Sequence, residues 1–128
     1  MAKTARIVIA EDDPHILQLL EHVLSVDGHQ VTTTKDGEEG LEAVKKIKPD
    51  LLITDVMMPR RNGYQLVHAI LNETQDLPTP KIIILTSRTD PADVKRGLTV
   101  GADVYIAKPF DIQEVTGHVR ELLASAQA

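Results

Sequence analysis

The sequence predicts an α/β fold in which one open sheet of five parallel strands lies between two layers of helices. Five short apolar runs alternate along the chain with five segments of helical periodicity, the pattern of strand–helix–strand units. The central runs are apolar at almost every position, which is typical of strands buried on both faces. A chain of 128 residues buries about two thirds of its surface on folding. We therefore expect a single domain over residues 1–128, with its core from about residue 6 to residue 123.

The first half of the chain contains three predicted strands and two predicted helices. The strands are the runs at residues 6–10, 30–34 and 51–54. The second run has the fewest apolar side chains, which favours a sheet edge. Helix 1 begins at Pro14 behind the capping residue Asp13 and ends at Gly28. Its predicted buried face keeps the i, i+3, i+4 spacing and comprises Ile16, Leu19, Leu20, Val23 and Leu24. Helix 2 follows Asp36-Gly37, and its predicted buried stripe comprises Leu41, Val44 and Ile47.

The second half of the chain repeats the alternation. Helix 3 is predicted over residues 64–72, and its apolar face comprises Leu66, Val67, Ile70 and Leu71. The two remaining strands are predicted at residues 81–85 and 104–107. Helix 4 begins at Pro91 and contains Gly97 and Gly101, which lower its stability. Asp111 caps helix 5, whose apolar face comprises Ile112, Val115, Val119 and Leu122.

The composition excludes several classes of function. There are no cysteines, which rules out disulfides, thiol catalysis and cysteine-ligated metals. No apolar run approaches the roughly 20 residues of a membrane span, and the first residues lack a signal-peptide pattern, so we expect a cytoplasmic protein without membrane insertion. The net charge of −5 argues against direct binding of nucleic acid. Only three aromatic residues occur, namely Tyr64, Tyr105 and Phe110.

Polar and charged side chains follow four of the five predicted strands. They are Glu11, Asp12 and Asp13 after strand 1, Asp55 after strand 3, Thr86 and Ser87 after strand 4, and Lys108 after strand 5. Because the carboxyl ends of parallel strands meet at one edge of a sheet, these side chains are expected to converge. Clustered carboxylates suit Mg²⁺, and a hydroxyl with an ammonium suits a phosphoryl group. A carboxylate at the centre of such a site can be the nucleophile that forms an aspartyl phosphate.

Each of these residues, taken alone, has a structural explanation. Asp13 before Pro14 is more often a helix cap than a metal ligand. Asp55 suits a turn at the end of a strand, Thr86 suits a half-buried strand end, and a single lysine such as Lys108 is most often a solvated surface charge. The functional interpretation depends on the combination, because an acid pair, an acid, a hydroxyl and a lysine each follow a different apolar strand.

Four motifs occur in order along the chain. They are Glu11-Asp12-Asp13, then Thr54-Asp55-Val56-Met57-Met58-Pro59 with Gly63, then Leu85-Thr86-Ser87, and finally Gly101-Ala102-Asp103 leading to Lys108-Pro109-Phe110. From about residue 6 to residue 123, the chain thereby resembles the receiver domain of two-component response regulators, including the single-domain chemotaxis-type regulators. The resemblance implies a flavodoxin-like, doubly wound parallel sheet with strand order 2-1-3-4-5 and five helices. It also implies a cis peptide bond between Lys108 and Pro109.

The resemblance implies a phosphoacceptor and a Mg²⁺ site. Asp55 corresponds to the phosphoacceptor of the family. Asp12 and Asp55 correspond to direct ligands of Mg²⁺, and Glu11 to a residue that acts mainly through water. The backbone carbonyl of Met57 would complete the protein ligands, while Asp13 keeps the capping role that its position already favours.

The resemblance also implies a switch. Thr86 would hydrogen-bond one phosphoryl oxygen, and Lys108 would form a salt bridge with another. Tyr105 corresponds to the family's rotameric aromatic residue, which turns inward as the strand-4 hydroxyl moves toward the phosphoryl group. A histidine kinase, a phosphotransfer protein or a small phosphodonor would thus control the face of helix 4, strand 5 and helix 5, where an effector binds. Phe110 is expected to pack beneath the last loop, and for Tyr64 packing and exposure both stay open.

Three positions depart from the family pattern. Arg61, beside Arg60, stands where the family more often has an apolar residue. Its side chain could contact a partner, contact the phosphoryl group or be a solvated loop charge, and we favour the solvated charge. Arg88, two residues beyond Thr86, stands at a position that tends to tune the phosphoryl lifetime, and we predict that its side chain covers the site. The segment Asp103-Val104-Tyr105 has one acid fewer than many relatives, which alters the surface of strand 5.

Two other classes of function agree less well with these residues. A Mg²⁺-dependent phosphatase or phosphotransferase of haloacid-dehalogenase type would carry a second acid two residues after the nucleophile, where this chain has Met57. A flavodoxin-type cofactor site would need a Ser/Thr/Gly-rich loop, whereas the acidic Glu11-Asp12-Asp13-Pro14 would repel the flavin phosphate. We therefore expect a domain that catalyses only its own phosphorylation and slow dephosphorylation. A stand-alone regulator and the receiver of a longer protein both stay open.

Overall fold

Ten elements alternate between strand and helix along the chain. The computed structural model describes residues 4–74 and 76–126, so residues 1–3, 75, 127 and 128 of the predicted domain lie outside the described part. The elements are β1 (Arg6–Ala10), α1 (Pro14–Val26), β2 (Gln30–Thr34), α2 (Gly37–Ile47), β3 (Leu51–Thr54), α3 (Gly63–Glu73), β4 (Lys81–Thr86), α4 (Pro91–Val100), β5 (Val104–Ala107) and α5 (Ile112–Ala126). The predicted elements are confirmed, with ends that differ by one or two residues.

The five strands form one parallel sheet in the order β2-β1-β3-β4-β5, so the predicted strand order is confirmed. Ala10 at the end of β1 lies opposite Thr54 of β3, and Thr54 lies opposite Ile84 of β4. On the far side of β4, Thr86 pairs with Ala107, the last residue of β5. The residues that directly follow β1, β3 and β5 therefore lie at the same edge of the sheet.

A core lies on each face of the sheet, because successive side chains of a strand point to opposite faces. Ile7 and Ile9 of β1 belong to a cluster with buried residues of α1 and α5, whereas Val8 and Ala10 belong to a second cluster with those of α2 and α3. The central strands β1, β3 and β4 are buried on both faces, and β2 at the edge is mostly only partly buried. This difference confirms the edge position predicted for the second strand.

The buried face of α1 is rotated from the predicted one. Leu17, Leu20 and Leu24 are buried, whereas Leu19, which was predicted to be inside, is 44% exposed. Successive residues of an α-helix are about 100° apart, so a face centred on Leu20 and Leu24 includes Leu17 and turns Leu19 outward. The apolar spacing is compatible with either face, and contact with the sheet selects one of them.

The helix α4 has little contact with the core. Gly97 is its one fully buried residue, and Leu98, an apolar position of the predicted helix, is 47% exposed. The N-cap residue Asp90 makes no capping hydrogen bond with its side chain, whereas the side chains of Asp13 and Asp36 cap α1 and α2. Sparse burial and a missing cap agree with the low stability that Gly97 predicts for this helix. The prediction for Gly101 is wrong, because Gly101 lies just outside the helix as its C-cap with a φ of 129°, a conformation that glycine adopts readily.

The helix α5 begins as predicted. The Asp111 carboxylate accepts a hydrogen bond from the Gln113 N–H at 2.8 Å. Val115 and Val119 are buried, but the last buried residue is Leu123 rather than the predicted Leu122, which is only partly covered by its neighbours. At 15 residues α5 is the longest of the described helices, and none of these helices has the length and apolar character needed to cross a bilayer.

The rotated face of α1 provides a matched test of the fold. Leu20→Ala should lower the free energy of unfolding by about 2–5 kcal/mol, because it leaves a cavity in the core. Leu19→Ala on the same helix should lower it by less than about 1 kcal/mol, because its side chain is largely exposed. Equilibrium urea denaturation followed by circular dichroism measures both values, and equal losses would contradict this orientation of α1.

Candidate phosphoacceptor site

Three charged side chains from three different strand ends meet at the carboxyl edge of the sheet. The Lys108 ammonium donates a hydrogen bond to Glu11 Oε1 at 2.6 Å and another to Asp55 Oδ2 at 2.7 Å. Both carboxylates are buried, and the Lys108 side chain is only 13% exposed. The predicted convergence of these residues is therefore observed, and Lys108 is a partly buried bridge between two carboxylates rather than a solvated surface charge.

The second oxygen of Asp55 is held by the backbone that follows it. Asp55 Oδ1 accepts hydrogen bonds from the N–H groups of Val56 at 2.6 Å and Met57 at 3.3 Å. The Asp55 N–H itself donates to the Ala10 carbonyl at 3.0 Å, which extends the pairing of β1 with β3 beyond the end of the strand. With one oxygen on Lys108 and the other on the backbone, the carboxylate has a defined orientation.

Negative charge exceeds positive charge inside this cluster. Burial raises the pKa of Glu11 to about 7 although its hydrogen bond with Lys108 lowers it, and the charge of Asp55 adds to the effect of burial. For Lys108, burial lowers the pKa, but the hydrogen bonds with Asp55 and Glu11 outweigh burial and raise the pKa above its ordinary value. One ammonium therefore faces two carboxylates, and a further cation would balance them.

The carboxylates form a group that suits a metal ion. Glu11, Asp12 and Asp55 each offer an oxygen, and these oxygens lie within 4.8 Å of one another. Carboxylate oxygens next to open solvent are the ligands that Mg²⁺ prefers, and Asp12 is exposed while the other two are buried. Asp13 has a different role, because its Oδ1 caps α1 by accepting from the His15 N–H at 2.9 Å. The predicted cap is thus confirmed, and the donor set fits Mg²⁺.

Gly63 allows the loop after β3 to close against Asp55. A Cβ atom built on Gly63 would lie 2.1 Å from the Asp55 carbonyl oxygen, well inside contact distance. The Gly63 N–H donates to the Val56 carbonyl at 3.0 Å, which fixes the same approach. The sequence motif includes this glycine, but only the structure gives the steric reason for it.

The two arginines of this loop contact α2. Arg60 pairs with the Asp36 carboxylate at 2.7 Å, and Arg61 pairs with Glu38 at 2.6 Å. The Arg60 side chain is 58% exposed, whereas that of Arg61 is 26% exposed. The prediction of a solvated loop charge therefore agrees with the exposure of Arg60. It is wrong for Arg61, because this side chain is largely covered and pairs with Glu38 of α2.

Two tyrosines connect the site with α4. The Tyr105 ring lies against Gly97, where an added Cβ would be 2.7 Å from two ring atoms, and its hydroxyl donates to the Arg88 carbonyl. Tyr64 is buried, its hydroxyl donates to a backbone carbonyl of α4 at 3.0 Å, and it lies 3.4 Å from the Tyr105 hydroxyl. Thr86 is fully buried at the end of β4. The sequence left the role of Tyr64 open, because no local pattern indicates its contact with a residue 41 positions away.

Arg88 extends along the entrance of the site. Its Nε donates to the Met57 sulfur at 3.1 Å, and its guanidinium lies 3.7 Å from the Asp93 carboxylate. From the β4–α4 loop, the side chain therefore contacts both the N-terminal turn of α4 and the residue two positions after Asp55. Beside it, a depression of about 350 Å³ is lined by residues of the β3–α3 loop together with Tyr64, Arg88 and Arg96.

A comparison with known protein families identifies the family to which the chain belongs. The model of the response regulator receiver domain matches residues 7–120 of this chain. The chain belongs to the response regulator receiver domain family. The cis peptide bond at Lys108–Pro109 agrees with what the family resemblance predicts. Phe110 is partly buried and packs against the core. Family membership does not favour the alternative of a phosphatase that acts on a separate substrate.

Known relatives match this receiver domain over nearly its whole length. It is 37% identical over 123 residues to the transcriptional regulatory protein RprY of Bacteroides fragilis, an alignment that covers 96% of the chain and 51% of RprY. It is 38% identical over 118 residues to the response regulator MprA of Mycobacterium leprae, which covers 92% of the chain and 50% of MprA. The chain thus spans about half the length of the curated relatives it matches.

Solved structures agree with the fold. The receiver domain of a signal transduction histidine kinase from Syntrophus aciditrophicus superimposes with a TM-score of 0.86 at 37% identity, over 95% of this chain and 92% of that one. The chemotaxis response regulator CheY4 of Vibrio cholerae superimposes with a TM-score of 0.85 at 31% identity, over 94% of this chain and 99% of CheY4. Receiver domains from different kinds of protein therefore share this architecture.

The close approach of Gly63 to Asp55 can be tested against a second glycine. Gly63→Ala should lower the free energy of unfolding by about 1–3 kcal/mol, because the new methyl group displaces the backbone at Asp55. Gly117→Ala in α5, where a Cβ would meet nothing within 4 Å, should raise it by about 0.5–1 kcal/mol. Urea denaturation measures both, and a neutral Gly63→Ala would contradict the described loop.

Proposed function

We propose that this receiver domain is a phosphorylation-controlled switch that accepts a phosphoryl group on Asp55. The donor is a histidine kinase, a phosphotransfer protein or a small phosphodonor such as acetyl phosphate. The observation that carries the proposal is the Asp55 carboxylate, which is buried, held by two backbone N–H groups and paired with Lys108. A fixed orientation of this kind suits a nucleophile, because the reacting oxygen is already positioned.

The transfer is a substitution at phosphorus. A carboxylate oxygen of Asp55 attacks, a new P–O bond forms, and the P–N bond of the phosphohistidine breaks, with its electron pair leaving on the imidazole. Lys108 would pair with one oxygen of the transferred group, and the Thr86 hydroxyl would hydrogen-bond another. These contacts would spread the negative charge of the phosphoryl oxygens over an ammonium that pairs with Asp55 and a buried hydroxyl at the end of β4.

The acidic cluster supports a Mg²⁺ site in this proposal. Asp12 and Asp55 would be direct ligands, the Met57 carbonyl would be the third protein ligand, and Glu11 would act through water. When bound, the ion offsets the charge that the carboxylates and the phosphoryl oxygens bring together. Glu11 and Asp55 share a single ammonium, so their excess negative charge favours a cation at this place.

The output of the proposed switch is the surface of α4, β5 and α5. Thr86 and Tyr105 would move together on phosphorylation, and Tyr105 packs on Gly97 of α4. Because α4 is sparsely buried, a modest local energy can change its position. Leu98, which is 47% exposed on this helix, is an apolar contact available to an effector protein.

The proposal describes a regulatory domain. The receiver catalyses its own phosphorylation and slow hydrolysis and turns over no separate substrate. Its core spans about residues 6–123 of a single domain over residues 1–128. We also propose a cytoplasmic location, because histidine kinases and small phosphodonors obtain their phosphoryl groups from intracellular metabolism.

Incubation with Mg²⁺ and acetyl phosphate, followed by intact mass measurement, tests the phosphoacceptor. The expected product carries one phosphoryl group, and Asp55→Asn should carry none because the amide is not nucleophilic. Omission of Mg²⁺ with excess chelator should abolish the product.

A matched control separates this role from general acidity. Asp50→Asn removes an exposed carboxylate that accepts a hydrogen bond from the Arg6 N–H, and it should leave phosphorylation intact. Phosphorylation of Asp55→Asn to the wild-type extent would overturn the assignment. Repeated turnover of an added phosphate ester would instead support the enzyme alternative.

The position of Arg88 supports a role in the lifetime of the phosphoryl group. Its side chain extends from the β4–α4 loop to Met57, two positions after Asp55, where it would restrict the approach of the attacking water. Arg88→Ala should shorten the phosphoryl half-life by up to about tenfold, which corresponds to about 1.4 kcal/mol of activation free energy. Arg120→Ala, on the exposed side of α5, is the control, and an unchanged half-life in Arg88→Ala would exclude this role.

A further inference from the structure

A second concave surface lies away from Asp55, between α3 and α4. We name it the α3–α4 groove. It has a volume of about 890 Å³ and is lined by residues of α3 and α4 together with Glu38, Arg60 and Arg61. The lining from Ala92 to Val100 follows more than two turns of α4, or about 12 Å at 1.5 Å per residue. A groove of this length fits a segment of polypeptide better than a compact small molecule.

The charge of the groove is opposite to that of the whole chain. The lining contains four arginine or lysine side chains and a single carboxylate, Glu38, in a chain with a net charge of −5. Arg60 and Arg61 are already paired with carboxylates of α2. Within residues 4–74 and 76–126, neither Lys95 nor Arg96 forms an ion pair closer than 4 Å, so these two side chains supply the net positive charge.

Apolar surface accompanies the positive charge. The Arg96 guanidinium lies over the Tyr64 ring, 4.7 Å from its centroid, and Tyr64, Ala92 and Val100 contribute apolar lining. A planar cation held on an aromatic face remains free to pair with a carboxylate at its edges. The groove therefore combines apolar contacts with charged groups that are already oriented.

We propose that the α3–α4 groove docks an acidic peptide segment of a partner protein. Carboxylates of the segment pair with Lys95 and Arg96, and an apolar side chain packs beside Ala92 and Val100. The observation that favours a carboxylate ligand is charge complementarity, because this cationic groove lies on an acidic domain. It is distinct from the effector surface proposed above, since its lining among the described residues comes from α2, the β3–α3 loop, α3 and α4, and includes no residue of β5 or α5.

The probe is a labelled twelve-residue peptide of glutamates and aspartates with two leucines four positions apart. Binding is measured by fluorescence anisotropy at low salt. The double variant Lys95→Gln/Arg96→Gln should weaken binding by about tenfold. The matched control Lys45→Gln/Lys46→Gln removes the same charge from exposed positions of α2 outside the groove and should change it by less than about twofold. Circular dichroism checks that both variants are folded.

Amide chemical shifts locate the bound peptide. Changes confined to α3 and α4 residues of the groove would support the proposal, and changes centred on β5 and α5 would overturn it. Equal losses in the two double variants would overturn it too, because attraction would then depend only on net charge. A single-stranded oligonucleotide of the same length that binds more tightly than the peptide would identify nucleic acid as the ligand class and overturn the peptide assignment. Absence of peptide binding at low salt would also overturn the peptide assignment.

Discussion

The site depends on one ammonium group shared by two buried carboxylates. Lys108 reaches Glu11 and Asp55 at 2.6 and 2.7 Å, so the ends of β1, β3 and β5 are joined by charge as well as by backbone pairing. Removing Lys108 would leave two buried carboxylates without their cation, which is strongly destabilising, whereas removing one carboxylate leaves the ammonium paired with the other. The excess of one carboxylate keeps the cluster receptive to a cation. Burial raises the pKa of Glu11, and the charge of Asp55 adds to that effect.

The fold makes this charge arrangement possible. Parallel strands in register bring their carboxyl ends to one edge, and the buried central strands hold that edge in place from both faces. The loop after β3 then closes on Asp55, because Gly63 has no side chain to prevent it and Arg60 is held by Asp36. Rigid strands therefore position the carboxylates, and short-range contacts of one loop orient the phosphoacceptor candidate.

The helix α4 stands between the site and two surfaces. Its buried Gly97 accommodates Tyr105, and one of its backbone carbonyls accepts the hydrogen bond of Tyr64. The ring of Tyr64 in turn lies under Arg96, within the α3–α4 groove. Because few of its side chains enter the core, α4 is held by such polar and aromatic contacts more than by apolar burial.

The sequence by itself determined the order of elements, the parallel sheet and the identity of the charged residues at its edge, because hydrophobic periodicity and capping residues act locally. It also placed Asp13 at the start of α1. Tertiary structure decided which face of α1 is buried, that Arg61 pairs with α2, and that Tyr64 meets Tyr105. These outcomes depend on contacts between residues far apart in the chain, and the spacing of apolar or charged residues within one element carries no information about its neighbour. Gly63 and Gly97 illustrate the same limit. Each position requires a residue without a side chain only because another segment, at Asp55 or Tyr105, packs closely against it in the folded protein.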